Sequence, residues 1–163
     1  KIRGIGVEVS TWALERVRGL GFEVIDLDFS KIIESPESIN LLPEVDYILG
    51  FEILEHMPYP EGFVLALRNK ARKGLIFSFP NTGYYTHRLR LLFGRFPLQW
   101  ITHPGEHLRF WAVKDVKWRI RQIGMNLDTL ILYEGVPLLN RLFPTPTAQL
   151  FCEFFKIHII FVY

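Results

Sequence analysis

The chain has 163 residues, 49% of them hydrophobic and 15% aromatic, enough to bury one sizeable core and too few for two, so a single domain over 1–163 is expected. A formal charge of +2, with only Arg88, Arg90 and Arg95 clustered, argues against nucleic acid as a partner, because a phosphate backbone calls for a concentrated basic face. The lone cysteine, Cys152, excludes an internal disulfide and a cysteine-rich zinc site; with no signal peptide visible after Lys1 to Arg3, a cytoplasmic protein is expected.

In chain order, strand and helix signals alternate, the pattern of a mostly parallel α/β sheet covered on both faces. Gly4 to Val9 reads as a strand. Ser10 then caps a helix from about Thr11 to Leu20, a serine oxygen being able to accept from a first-turn amide. Ala13, Leu14 and Val17 form its inner stripe, and Gly19 and Gly21 end it. Strands follow at Phe22 to Leu27 and, beyond a polar stretch around Ser35, Pro36 and Glu37, at Val45 to Phe51; such short apolar runs suit strands buried on both faces. Pro60 and Glu61 open the next helix, with Phe63, Val64, Leu67 and Ala71 at helical spacing and Gly74 as its end.

Leu75 to Phe79 is a fourth strand, stopped by Pro80 and Asn81. Thr82 to Trp111 is an irregular or short-helical region rich in aromatics and arginines, of a length that in compact domains is usually functional or partly helical. A last helix runs from Val113 to Ile123 and ends at Gly124. Strands at Leu127 to Tyr133 and Phe155 to Val162 finish the chain, separated by a connection containing Pro144 and Pro146. The tail from Phe151 to Tyr163 is too short to span a bilayer and is interrupted by Glu153, Lys156 and His158, so a buried strand is expected there and no membrane partner.

In open α/β sheets ligands bind at the carboxyl ends of the strands, and acidic residues stand at three of them. Glu8 ends the first strand; an ionised carboxylate only accepts hydrogen bonds and offers several lone pairs, which suits the two hydroxyls of a ribose. The alternative is a solvated strand-end glutamate. Asp26 and Asp28 end the second, where a carboxylate suits an adenine amino group and the neighbouring backbone a ring nitrogen; turn formation is the competing role. The third strand runs into Phe51, Glu52, Glu55 and His56.

The series GVEVS, VIDLD, FEILEHM followed by proline, and LIFSFPN resembles, in order and separation, the later motifs of class I S-adenosylmethionine-dependent methyltransferases. The segment SFPNTGYYTHRLRLLFGRFP, followed by HPGEHLRFW, is similar to the MetW type of methyltransferase-like protein associated with bacterial methionine biosynthesis, and to the methyltransferase type 11 group. The resemblance implies a Rossmann-like class I methyltransferase sheet, mostly parallel with an antiparallel C-terminal strand. It implies S-adenosyl-L-methionine as cofactor, with Glu8 and Val9 at the ribose, Asp26 and Leu27 at the adenine, and Phe51, Glu52 and His56 bordering the methionine end. It also implies a first strand, a glycine-rich loop and a helix that Gly4, Ile5 and Gly6 do not supply. Their lack would leave neighbouring strands with unpaired amides and carbonyls, so an N-terminally incomplete domain is expected.

The function implied is methyl transfer to a small-molecule acceptor, a reaction that can proceed by alignment of nucleophile, methyl group and sulfur without a metal. His103 and His107 are the candidate catalytic bases, imidazole titrating near neutrality. Tyr84, Tyr85, His87 and Arg88 are candidates for acceptor contact, although Arg88 belongs equally to a solvated helix face. Pro104 and Gly105 part the two histidines and no helix aligns them with Glu106, so no metal is expected there. The alternative reading is an accessory protein that binds a biosynthetic partner, a homoserine O-acyltransferase. A nicotinamide-dependent dehydrogenase would share the acidic residue for ribose but explains neither FEILEHM nor an antiparallel ending.

Overall fold

Two short apolar runs with a helix between them make the first unit of the fold. A computed structural model, describing residues 2–32, 34–97, 104–132 and 157–162, forms these runs into strands β1 (Ile5–Glu8) and β2 (Glu23–Asp26), parallel and joined by helix α1 (Thr11–Gly19). Leu14 is buried and Ala13 and Val17 are half-buried, the stripe expected of an amphipathic helix. Ser10 occupies the cap position, but its side chain makes no capping bond. Its amide instead donates to Glu8 Oε1 at 2.9 Å. The helix ends where Gly21 takes a φ of 81°, a conformation that costs glycine no steric clash.

The second unit is a four-stranded sheet of β3 (Val45–Gly50), β4 (Ala71–Phe77), β5 (Leu127–Leu132) and β6 (Ile157–Val162), in the order β3-β4-β6-β5. The pair β3 and β4 is parallel, whereas β6 runs antiparallel to both β4 and β5, as expected for the final strand. Helices α2 (Pro60–Arg68), α3 (Tyr85–Leu92) and α4 (Val113–Gln122) are the other α-helices among the described residues, with α3 lying in the region expected to be irregular or short-helical. The connection containing Pro144 and Pro146 lies outside the described residues.

One boundary differs from expectation. Ala71 and Gly74, read as the end of a helix, belong to β4. Pairing decides this: the Val45 amide donates to Lys70 O at 2.9 Å, and the ladder then runs from Val45 opposite Ala71 to Gly50 opposite Phe77, with an irregularity between Val45 and Tyr47. A ladder partner satisfies these backbone groups better than a prolonged helix end would.

The core joins α2 and α4 to β4 through Phe63, Leu67, Leu75, Phe77, Val113 and Ile120, and Arg119 pairs with Glu61 across the two helices at 2.8 Å. Between these helices lies a hollow lined by Leu54, Pro60, Val64, Phe77, Trp111 and Ile120. Glu61 and Arg119 also line it, already paired with each other, and the rest of the lining is apolar. The sheet is not covered on both faces as expected: among the described residues, Tyr47, Leu49 and Phe51 of one β3 face are about half exposed. Nor do the two ladders join among the described residues, where β1 and β2 pair only with each other. Among the described residues no helix is long and apolar enough to cross a membrane.

Leu67 is 1% exposed at the centre of the α2 contact. Its truncation to alanine is expected to lower stability by about 2–5 kcal/mol in urea denaturation, the range for a buried leucine. A loss below about 1 kcal/mol would contradict this packing of α2.

Candidate active site

The ends of the parallel strands place the first group of site residues. Glu8 and Asp26 are register partners on β1 and β2, so their Cα atoms stand one interstrand spacing apart, about 4.8 Å. Glu8 Oε1 accepts from the Ser10 amide at 2.9 Å and the Val9 amide at 2.8 Å. These bonds, Ser10 first, hold its carboxyl below the usual carboxylate range, so it is ionised at neutral pH. Its second oxygen has no hydrogen bond among the described residues. Val9 is exposed beside it.

Asp26 is exposed, whereas Asp28 caps a short 3-10 turn, Phe29–Lys31, by accepting from the Ser30 amide at 3.0 Å and hydroxyl at 2.6 Å. Asp28 therefore does the turn work that competed with a binding role. Leu27 is buried in the core, and its amide donates to Glu8 O at 3.1 Å. That amide is thus committed to the fold and cannot also serve a ligand's ring nitrogen.

At the end of β3 the chain passes very close to β4. A Cβ on Gly50 would stand 2.6 Å from the Phe77 ring, so only glycine fits. Exposed Phe51 follows, then Glu52 with a φ of 52°, a left-handed conformation that costs an L-residue about 1–2 kcal/mol. Ser78 stabilises it twice, its hydroxyl accepting from the Glu52 amide at 3.0 Å and donating to Glu52 Oε1 at 2.8 Å.

The turn Leu54–His56 then buries Glu55 to 1% exposure, with neither carboxylate oxygen hydrogen-bonded among the described residues. Burial first, and then the nearby Glu52 carboxylate, push the Glu55 carboxyl up to about 7. The segment after Pro104 folds onto this turn. Glu55 O accepts from the Leu108 amide at 2.8 Å and the Arg109 amide at 3.1 Å, while the Arg109 guanidinium donates to Pro58 O. His56 Nδ1 meets Glu106 O at 2.5 Å, and the rings of His56 and His107 lie 4.9 Å apart, edge to face. Burial, then the His56 charge, lowers the pKa of His107, keeping its imidazole neutral and able to accept a proton.

The structure therefore brings Glu55, His56 and His107 together, their ligand-capable atoms all within 4.8 Å of one another. Spacing along the chain groups His107 with His103 and Glu106 instead. Glu106 meets His56 through its backbone carbonyl, and His103 lies outside the described residues. The signal that could have found the trio is the pair Glu55-His56 at a strand end facing a second histidine. What hid it is the backbone pairing of residues 104–110 with the turn.

The candidate acceptor residues form the start of α3. Tyr84 is buried, its ring 4.6 Å from that of Tyr85 and 5.9 Å from that of His87. Arg88 Nε donates to Gly83 O at 2.6 Å, so this guanidinium supports the loop that begins the helix.

No protein-family model and no curated protein matches the sequence. Solved structures do match. A SAM-dependent methyltransferase from Archaeoglobus fulgidus superposes with a TM-score of 0.58 at 14% identity, over 97% of this chain and 74% of its own. One from Mesorhizobium loti gives 0.62 at 10% identity, over 98% and 79%. Magnesium protoporphyrin IX methyltransferase from Synechocystis PCC 6803, solved with bound SAH, gives 0.57 at 13% identity, over 97% of this chain and 62% of its own. The fold is the Rossmann-like fold of these methyltransferases.

The buried Glu55 carboxyl has a signature in stability. Its folded pKa, about 7, lies above the ordinary 4.5, so the unfolded chain ionises first and stability is lost as pH rises from about 4.5 through about 7. The full loss is on the order of 3 kcal/mol. Denaturant unfolding in the presence of a chelator should show this slope in the wild type and its flattening in Glu55→Gln. Equal slopes in the two proteins would contradict the burial of an orphaned carboxyl.

Proposed function

We propose that the carboxyl ends of β1, β2 and β3 form a cleft for S-adenosyl-L-methionine and that the protein transfers its methyl group to a small-molecule acceptor. The observation that carries this reading is the register pairing of Glu8 with Asp26, two carboxylates held side by side at the ends of parallel strands. The residues fit the group. Glu8 is ionised, with one oxygen oriented by two backbone amides and the other open, an acceptor of the kind that the donating hydroxyls of a ribose require. Exposed Asp26 suits an adenine amino group, and exposed Phe51 offers an aromatic face at the next strand end.

When bound, the cofactor supplies an electrophilic methyl group on a sulfonium. The protein's task is then alignment of the acceptor with that methyl and disposal of the acceptor's proton. Neutral His107 is the described histidine suited to the second task, and His103 remains a candidate beside it. Tyr85 and His87, half-exposed at the start of α3, are proposed acceptor contacts together with Tyr84 and Arg88.

A strand lying between β1 and β3 would unite the two ladders, and we propose that the full-length protein supplies it together with the glycine-rich loop that approaches the methionine end. A role in methionine biosynthesis, a cytoplasmic location and a homoserine O-acyltransferase as partner rest on the sequence resemblance over Ser78 to Trp111. Co-purification with that acyltransferase tests the partner directly.

Titration calorimetry of S-adenosyl-L-methionine into the full-length gene product is expected to show binding that Glu8→Ala weakens by about 1–3 kcal/mol, the cost of leaving ribose hydroxyls without their acceptor. Unchanged affinity would remove Glu8 from the site. No binding at millimolar cofactor would overturn the methyltransferase reading in favour of a partner-binding role.

A further inference from the structure

Glu55 poses a physical problem that the methyltransferase reading does not solve. An orphaned carboxylate in a protein interior is costly unless a proton, a hydrogen-bond donor or a cation compensates it. Here both oxygens lack a donor among the described residues, at 1% exposure, while two imidazoles stand within reach.

The arrangement of those imidazoles favours a cation. Glu106 O can only accept, so His56 Nδ1 carries the hydrogen that it donates there, and Nε2 is the ring nitrogen left to coordinate. A backbone carbonyl holding one ring nitrogen so that the other is free to coordinate is the arrangement found around metal-ligating histidines. Among the described residues His107 Nδ1 is buried without a hydrogen-bond partner. The Leu108 and Arg109 amides, both on Glu55 O, hold His107 against the turn that carries the other two groups, so the donors are positioned by backbone rather than by flexible side chains alone. Glu52, fixed by Ser78, adds a second negative charge near the cluster.

We infer that Glu55, His56 and His107 form a binding site for one divalent first-row transition-metal ion. Two imidazole nitrogens and one carboxylate oxygen suit zinc, cobalt, manganese or iron better than calcium or magnesium, which favour sites built mainly of oxygen. Three protein ligands are one fewer than a closed structural zinc site has, so at least one position stays open to water or to an oxygen atom of a bound molecule. The site lies directly after Phe51 and Glu52. On the methyltransferase reading, the open position would therefore take a hydroxyl or carboxylate oxygen of the acceptor, and His107, its lone pair then on the metal, would leave the acceptor's proton to His103. The metal site itself does not depend on that reading.

The test is a zinc titration of tag-free, metal-free full-length protein without S-adenosyl-L-methionine, followed by competition with a chromogenic chelator. One equivalent should bind, and Glu55→Gln, His56→Ala and His107→Ala should each weaken it by about tenfold or more. Cobalt in place of zinc should give visible ligand-field absorption that the same substitutions abolish. Circular dichroism checks that each variant folds; His56 is exposed, so His56→Ala decides the matter even if burial makes the Glu55 variant unstable. Absence of binding at millimolar zinc, or stoichiometric binding with the same affinity in all three variants, would overturn the site. Either result would leave the cofactor titration, and hence the methyltransferase reading, standing or falling by itself.

Discussion

Gly50 against the ring of Phe77 is the contact on which the rest of the site depends. It lets β3 and β4 stay paired to their last residues, Gly50 opposite Phe77, and the Ser78 amide then extends the pairing by donating to Gly50 O at 3.1 Å. From that fixed point Ser78 reaches Glu52 and stabilises its left-handed backbone. The chain is thereby turned so that Glu55 points inward and its carbonyl is presented to residues 108 and 109. A side chain at Gly50 would move the Phe77 ring, and with it the positions of Ser78, Glu52 and Glu55. A packing constraint at one glycine is thus transmitted to the electrostatics of a carboxyl group several residues away.

Much of this was legible in the sequence. Short apolar runs flanked by glycine, proline and acidic residues identified the strands because parallel strands leave few alternatives for such runs, and Glu8 stood out as an acid closing one of them. Three features were not legible. Ala71 and Gly74 fit a helical period as well as they fit β4, and only the partner strand decides between these. Ser10 was read as a side-chain cap, but the carboxylate of Glu8, two residues earlier, claims its amide and holds the turn instead. The trio of Glu55, His56 and His107 depends on backbone hydrogen bonds between distant segments, and side-chain spacing carries no trace of these.

The two glutamates at strand ends show how one fold separates the roles of identical groups. Glu8 is kept ionised by two amides that point at one of its oxygens, whereas Glu55 is driven toward the neutral acid by burial. Groups whose environments push them apart in this way often mark a functional centre. The fold alone assigns no reaction. Function lies in these local environments, set within a fold shared with solved methyltransferases.

The central claim, that three strand ends cup an adenosyl group, is tested most directly by a crystal structure of the full-length protein with S-adenosylhomocysteine. The account predicts both ribose hydroxyls on the Glu8 carboxylate, the adenine beside Asp26, and the amino-acid end running past Phe51 toward His56. Nucleoside bound elsewhere, or a Glu8 carboxylate turned away from the ribose, would contradict it.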